Sequence, residues 1–303
     1  GLLSQATPGA ANTLGGISAS APTGFYENSF EVVLQSSSSD FAIRYTIDGS
    51  KPTVESPLYE SPILIAPYDD QDYSISSIPT DPPDQLWHLP DYVFRGSVLR
   101  TATFLGDQQI SPILSRSYYI DNEIASRYTF PIVSILADSV DLFSYETGIY
   151  VPGQTYENTM DSISPLGNYN ARGPDWEREV FVSFIEPDGA LGFESAAGIR
   201  IRGGATPSLP QKSFNVYFRS EYGVKDVDYP IFLNTELKEH KRFVLRNSGN
   251  DFFHSRFRDI LCQDLFKEHG LEYQAFRPSV VFINGEYWGI KNIREKYDER
   301  YLE

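Results

Sequence analysis

The feature that most constrains the fold is a series of short segments in which apolar and polar residues alternate, separated by tight-turn residues. Residues 42–47 alternate in this way and end at the pair Asp48-Gly49, and residues 98–104 give another strand candidate. A period of two residues is typical of half-buried strands, and Asp-Gly pairs favour tight hairpin turns. Aromatic residues, which suit pleated surfaces, make up 14% of the chain. We therefore predict a mostly β protein that begins with a β-sandwich over residues 22–121.

Two segments fall outside this strand pattern. Residues 1–21 are small and aperiodic, and they read as a linker or as the tail of a preceding domain. Residues 66–96 form a Pro- and Asp-rich insertion, which we expect to be a long surface loop. The insertion contains aromatic residues that either stack on sugars or simply hold the loop in place: Tyr68, Tyr73, Trp87 and Tyr92. A polysaccharide partner is one alternative that these residues leave open.

Residues 126–303 are predicted to form a second domain, an α+β lobe with an antiparallel sheet. Its strand candidates are residues 178–185, 197–202 and 212–219 and a hairpin around Asn284-Gly285. Apolar residues at three- and four-residue steps predict one main helix over 254–268. Its only cysteine, Cys262, lies among apolar residues and is expected to be buried.

Charge and composition exclude several classes of protein. The chain has 25 Lys and Arg against 41 Asp and Glu, a net charge of −16, which opposes nucleic-acid binding. There is no apolar run long enough to span a membrane. The single cysteine excludes an intrachain disulfide, and the four histidines have no zinc-ligand spacing, so no metal ligand is assigned.

Lys212 is the first candidate binding residue. Alternation places it on one face of a strand with Phe214, Val216 and Phe218. A strand-borne ammonium that reaches into a cleft can hold nucleotide phosphates, but a lysine at a strand end can also lie in water. Glu295 is the carboxylate that could pair with Lys212, although it could equally be one charge on a solvated surface.

The densest polar patch begins at Arg246 and continues through Asp251 to Asp259. Its basic residues could hold phosphate at the start of the following helix, or they could form an ion-pair network that only supports the loop. His254 has no serine or cysteine nucleophile identifiable beside it. No catalytic residue is assigned.

Two family resemblances add to these interpretations. Residues 22–121 resemble the chitobiase C-terminal or fibronectin-III-associated family, on the strength of the core Tyr45-Thr46-Ile47-Asp48-Gly49-Ser50-Lys51-Pro52-Thr53. That resemblance implies an immunoglobulin-like sandwich without catalysis.

Residues 130–303 resemble the CotH kinase family. The matching features, in order, are Thr147-Gly148-Ile149-Tyr150, Trp176-Glu177-Arg178, Ile201-Arg202-Gly203-Gly204 with Lys212-Ser213-Phe214, Leu245-Arg246-Asn247 with Arg258-Asp259, and Asn284-Gly285-Glu286-Tyr287-Trp288-Gly289 with Glu295.

The CotH resemblance implies a bacterial atypical kinase that uses ATP and Mg²⁺ to phosphorylate serine on secreted or surface proteins. It implies nucleotide binding by Arg202, Lys212, Arg246 and Glu295. Kinase aspartates lie beyond the lysine and glutamate elements, and this chain ends eight residues after Glu295. We therefore expect this fragment to be inactive alone. The alternative is a non-catalytic surface or carbohydrate-associated binding or structural module.

Overall fold

The structure is a computed structural model that describes residues 16–68, 75–83, 93–233, 235, 237–267, 269–270 and 272–296. Most regular structure in these residues is β, which confirms the predicted fold class. The helices in the described residues are short: α1 (Ile124–Arg127), α2 (Ser139–Phe143), α3 (Gly153–Thr159) and α4 (Arg258–Lys267). In this part of the chain, no helix has both the length and the apolar character of a membrane span.

The N-terminal module packs small strand ladders against a larger sheet. Its strands are β1 (Ile17–Ala19), β2 (Gly24–Tyr26), β3 (Phe30–Val32), β4 (Leu34–Ser36), β5 (Ala42–Thr46), β6 (Ile63–Ile65), β7 (Ser97–Leu105), β8 (Gln108–Gln109) and β9 (Leu114–Ile120). The larger sheet has the order β2-β9-β7-β5, with β8 on β7, and the ladders are β1-β4 and β3-β6. Val32 and Ile65 of the β3-β6 ladder share a buried core with Leu99 and Tyr118 of the sheet.

The second domain is built on a closed barrel with the order β10-β11-β12-β13-β16-β18-β17. Its strands are β10 (Ile132–Ala137), β11 (Arg178–Ile185), β12 (Leu191–Arg202), β13 (Ser213–Tyr217), β16 (Arg242–Arg246), β17 (Phe276–Ile283) and β18 (Glu286–Arg294), and β14 (Val227–Asp228) pairs with β15 (Glu239–His240) outside it. All neighbouring barrel strands are antiparallel except β10 and β17, which close the barrel in parallel. Closure of this kind depends on pairings between distant segments, which alternation within a single strand does not reveal.

The main helix differs from its prediction in position and burial. The residues before Arg258 form turns, so α4 begins four residues later than the apolar spacing suggested. Of the apolar residues on which the helix was predicted, only Ile260 is buried, whereas Phe257, Leu261 and Leu265 are exposed. The expectation that Cys262 is buried is wrong, because its side chain lies on the exposed surface of α4.

The predicted linker and the predicted surface loop also need correction. Ile17–Ala19 pair with β4, so the linker proposed for residues 1–21 ends before Ile17; residues 1–15 lie outside the described residues. Segment 75–83 of the insertion is not a surface loop. Ile75 belongs to the barrel core and is 4% exposed, and Thr80 and Asp81 are also buried.

The two modules share a buried interface. Phe94 and Tyr119 of the N-terminal module pack with Ile132, Val280 and Phe282 of the barrel domain. The hydroxyl oxygens of Ser117 and Ser134 are hydrogen-bonded at 2.9 Å between the modules. Segment 75–83 therefore reaches the barrel as part of a wider, well-packed contact.

Candidate functional site

A cavity of about 450 Å³ lies where β12 and β16 end and α4 begins. We call it the glycine pocket, because glycines lie on two of its sides. It is lined by Gly203, Gly204, Ala205, Thr206, Arg246, Ser248, Gly249, Asn250, Asp251, Arg258, Asp259 and Cys262. The cavity thus joins the Gly-Gly turn and the polar patch, two motifs that are more than forty residues apart in the sequence.

Unusual backbone conformations shape the glycine pocket. Gly203 has a φ of 128°, and a Cβ at this position would lie 2.6 Å from the Thr206 hydroxyl oxygen. Ser248 has a φ of 71°, in the left-handed region that costs energy for a residue other than glycine. Its hydroxyl group donates to the Arg256 carbonyl oxygen at 2.6 Å, and Asn292 donates to that hydroxyl at 3.2 Å. These hydrogen bonds hold the strained turn at Ser248, which lines the pocket, in place.

Two of the predicted binding residues, Arg202 and Arg246, come together beside this pocket. Arg202 donates to the Asn215 side-chain oxygen at 3.2 Å on the outer face of the barrel. Burial lowers the pKa of Arg202, and the neighbouring Arg246 lowers it further. Two guanidinium groups this close create a local positive potential in an acidic chain.

Carboxylates balance part of this charge. Asp259 pairs with Arg246 at 3.0 Å and with Arg294 at 3.0 Å. Asp251 accepts a hydrogen bond from the Ser255 hydroxyl, and this bond, together with Arg258, keeps the pKa of Asp251 below its usual value. The polar patch from Arg246 to Asp259 therefore forms an ion-pair network, which was one of its two predicted roles. The same patch also lines a cavity.

Lys212 lies at the same end of the barrel, but its side chain points inward and is 0% exposed. Its ammonium donates to the carbonyl oxygens of Thr80 and Leu209, at 2.5 and 2.8 Å. It also lies 4.2 Å from the centre of the Tyr169 ring. Burial lowers the pKa of Lys212, against an opposing effect of Asp81. Lys212 therefore lies neither in water nor in an open cleft, and both interpretations of its position are wrong.

The predicted ion pair between Lys212 and Glu295 is not formed. Arg294 of β18, the residue before Glu295, pairs with Val244 of β16. The neighbouring residue of β16, Phe243, pairs with Val216 of β13. Lys212 is four residues before Val216, so the two residues are about 13 Å apart along the strands, with two strand spacings between them. The Glu295 carboxylate instead accepts from the Ala275 amide at 3.2 Å. The predicted ion pair was wrong because the distance between Lys212 and Glu295 depends on the register of strands that are far apart in the sequence.

Two buried charged residues were missed by sequence reasoning. Lys291 is 0% exposed, donates to the Lys212 carbonyl oxygen at 2.7 Å, and has a pKa lowered by burial to about 7. Glu286 is also 0% exposed, and its carboxylate accepts from the amides of Ile75 and Ser76. Gly289 has a φ of 85°, and Ile290 after it is exposed. This break in alternation turns Lys291 inward, and Gly289 was the signal that could have found it.

Comparisons with known families agree with both suspected resemblances. Residues 199–303 match the family described as CotH kinase protein, and residues 21–75 match the chitobiase/beta-hexosaminidase C-terminal domain. No curated protein matches the chain. The CotH match includes the glycine pocket, Lys212 and Glu295. The chain thus contains a segment similar to the CotH kinase family, preceded by a segment similar to the chitobiase/beta-hexosaminidase C-terminal domain.

Proposed function

We propose that this chain carries the nucleotide-binding part of a CotH-type protein kinase and that the glycine pocket receives the phosphates of ATP. The observation that carries the proposal is that Arg246 and Arg258 line a cavity bordered by Gly203 and Gly204, with Arg202 next to Arg246. Guanidinium groups and closely approaching backbone amides are the donors that phosphate oxygens prefer. The match of this segment to the CotH family supports the same assignment.

Mg²⁺ fits the carboxylates available at this pocket. The ion usually binds one or two protein carboxylates together with phosphate oxygens and water. Asp251 and Asp259 both line the pocket, whereas the described residues contain no group of three or more ligands that could bind a metal alone. We assign these two aspartates to Mg²⁺ that arrives with the nucleotide.

Lys212 and Glu295 have supporting roles in this proposal. Lys212 ties the start of β13 to Thr80, and Glu295 ties the end of β18 to Ala275. Neither side chain lines the glycine pocket. The proposed phosphate ligands are therefore Arg246 and Arg258, which do line it.

The proposed reaction transfers the γ-phosphoryl group of ATP to a serine hydroxyl, yielding phosphoserine, ADP and the released hydroxyl proton. We propose secreted or cell-surface proteins of a bacterium as acceptors and the cell exterior as the location. Support comes from the CotH match and from the chitobiase-type module in front of it. No catalytic base is assigned among the residues of this chain.

Calorimetric titration with MgATP tests the proposal. We expect saturable binding, and we expect Arg258→Ala to weaken it by about tenfold, because one charge-assisted phosphate contact is lost. The Arg258 side chain is 66% exposed, so the substitution should leave the fold intact. Lys267→Ala is the matched control, since it removes one positive charge from the far end of α4.

The two variants distinguish the proposed nucleotide-binding kinase segment from the alternative, a non-catalytic binding or structural module. Equal weakening by Arg258→Ala and Lys267→Ala would mean that only overall charge matters, and it would reject the pocket. Absence of MgATP binding to the wild-type chain would favour the non-catalytic binding or structural module instead.

A further inference from the structure

A second and larger cavity, of about 870 Å³, lies between segment 75–83 and the region around α3. We call it the aromatic pocket. It is lined by Pro79, Asp81, Pro82, Pro83, Phe143, Tyr145, Val151, Pro152, Gly153, Tyr156, Glu157 and Met160. Its volume is within the range of small-molecule sites, which are mostly apolar with a few placed polar groups.

The aromatic walls of this cavity are held by defined contacts. Phe143 packs against the buried rings of Tyr150 and Trp288, each at 5.8 Å between ring centres. Tyr145 donates its hydroxyl hydrogen to the Glu157 carboxylate, which joins the loop after α2 to α3. The Phe143 ring and the Glu157 carboxylate are thus each held in position by contacts within the protein.

Among the described residues, the charged side chains that line the aromatic pocket are both acidic. They are Asp81 and Glu157, and no described lysine, arginine or histidine lines the pocket. Asp81 is only 3% exposed, and its charge acts on the neighbouring Lys212. A ligand with a positive charge complements this lining, whereas an anionic nucleotide does not.

The wall behind this cavity already binds an ammonium group with the same chemistry. The Lys212 ammonium lies over the rings of Tyr169 and Tyr150, at 4.2 and 5.2 Å from their centres, and feels the Asp81 charge. Aromatic faces attract cations, and the attraction grows where water is excluded. Tyr145, Tyr156 and Phe143 offer similar ring surface on the cavity side.

We propose that the aromatic pocket is a binding site for a small organic cation, an ammonium with an apolar body. The ammonium lies against Tyr145 and Tyr156 near the Glu157 carboxylate, and the apolar body contacts Phe143 and Met160. This site is distinct from the glycine pocket, and it does not depend on nucleotide binding.

Calorimetry with benzyltrimethylammonium as the probe tests the proposal. We expect saturable binding by the wild-type chain with a Kd below about 1 mM, since several ring contacts and one carboxylate contribute. Choline should displace the probe, and its uncharged isostere 3,3-dimethylbutan-1-ol should not. No saturable binding, or equal displacement by the alcohol, overturns the proposal.

Variants on α3 locate the site. Tyr156→Ala and Glu157→Gln should each weaken probe binding by about fivefold. Glu60→Gln, an equal change of charge at an exposed position of the N-terminal module, should leave it unchanged. Circular dichroism confirms folding of each variant. Binding that α3 variants do not change, or that Glu60→Gln weakens equally, places the cation elsewhere and overturns the assignment.

Discussion

The Lys212 ammonium donates a hydrogen bond to the carbonyl oxygen of Thr80 at 2.5 Å, and this contact joins the barrel to the insertion of the N-terminal module. The two residues are 132 positions apart. Thr80 also donates its hydroxyl hydrogen to the Pro210 carbonyl oxygen at 2.7 Å, two residues before Lys212. A lysine that the sequence suggested for phosphate binding is therefore a structural link between the modules.

Substitution of Lys212 should cost stability. Lys212→Ala leaves a cavity and two carbonyl groups without their donor, so we expect the free energy of unfolding to fall by about 2–4 kcal/mol. Lys212→Met fills the space and should cost less. Urea denaturation measures both, and an unchanged midpoint for Lys212→Ala would show that the contact with Thr80 contributes nothing.

Lys291 should make stability rise with pH. Its folded pKa is about 7 against an ordinary value of 10.5. Below pH 7 both states are protonated and the burial cost is complete, whereas between pH 7 and 10.5 only the unfolded state holds the proton. Stability then rises by up to about 5 kcal/mol. Urea denaturation of wild type and Lys291→Met across this range should show that the difference in unfolding free energy depends on pH. A constant difference contradicts the shifted pKa.

Glu286 should control the attachment of segment 75–83. Its carboxylate accepts from the Ile75 and Ser76 amides at 3.2 and 2.7 Å. Glu286→Gln retains only one side-chain acceptor oxygen, so we expect a loss of about 2 kcal/mol in stability and faster amide hydrogen exchange in a peptide covering 75–83. Glu31→Gln, on an exposed position of β3, is the control. Exchange that is equally slow in both variants would refute this role of Glu286.

Two ion pairs between the modules should differ in strength. Arg116 and Glu194 lie 2.9 Å apart and are 21% and 15% exposed, whereas Lys51 and Glu179 lie 2.7 Å apart and are 37% and 48% exposed. Water screens the second pair more. Double-mutant cycles should give about 1–2 kcal/mol for the first and about 0.5 kcal/mol or less for the second. The reverse order would contradict the burial argument.

Local features of the fold were readable from the sequence, whereas relations between distant segments were not. Alternation and turn residues predicted the strand over 178–185 and the hairpin at Asn284-Gly285, because these depend on neighbours in the chain. Barrel closure and the burial of segment 75–83 depend on pairings across more than a hundred residues.

The candidate site shows the same difference between local features and contacts of distant segments. Arg202, Gly203 and Arg246 were singled out from their motifs. The pairing of β12, β13 and β16 brings Gly203 and Arg246 to one pocket, with Arg202 next to Arg246. Lys212 was singled out correctly as unusual on an apolar face, but its partner was wrong. The true neighbour, Thr80, lies in a segment without any periodicity that could predict contact.

Alkylation of Cys262 tests the central claim most directly. This thiol is the only cysteine of the chain, is exposed, and lines the glycine pocket. If ATP phosphates occupy the pocket, MgATP at about ten times its Kd should slow the reaction of Cys262 with a neutral maleimide by about tenfold. Pyrophosphate should also protect, and adenosine should not. An alkylation rate that saturating MgATP leaves unchanged would contradict the account.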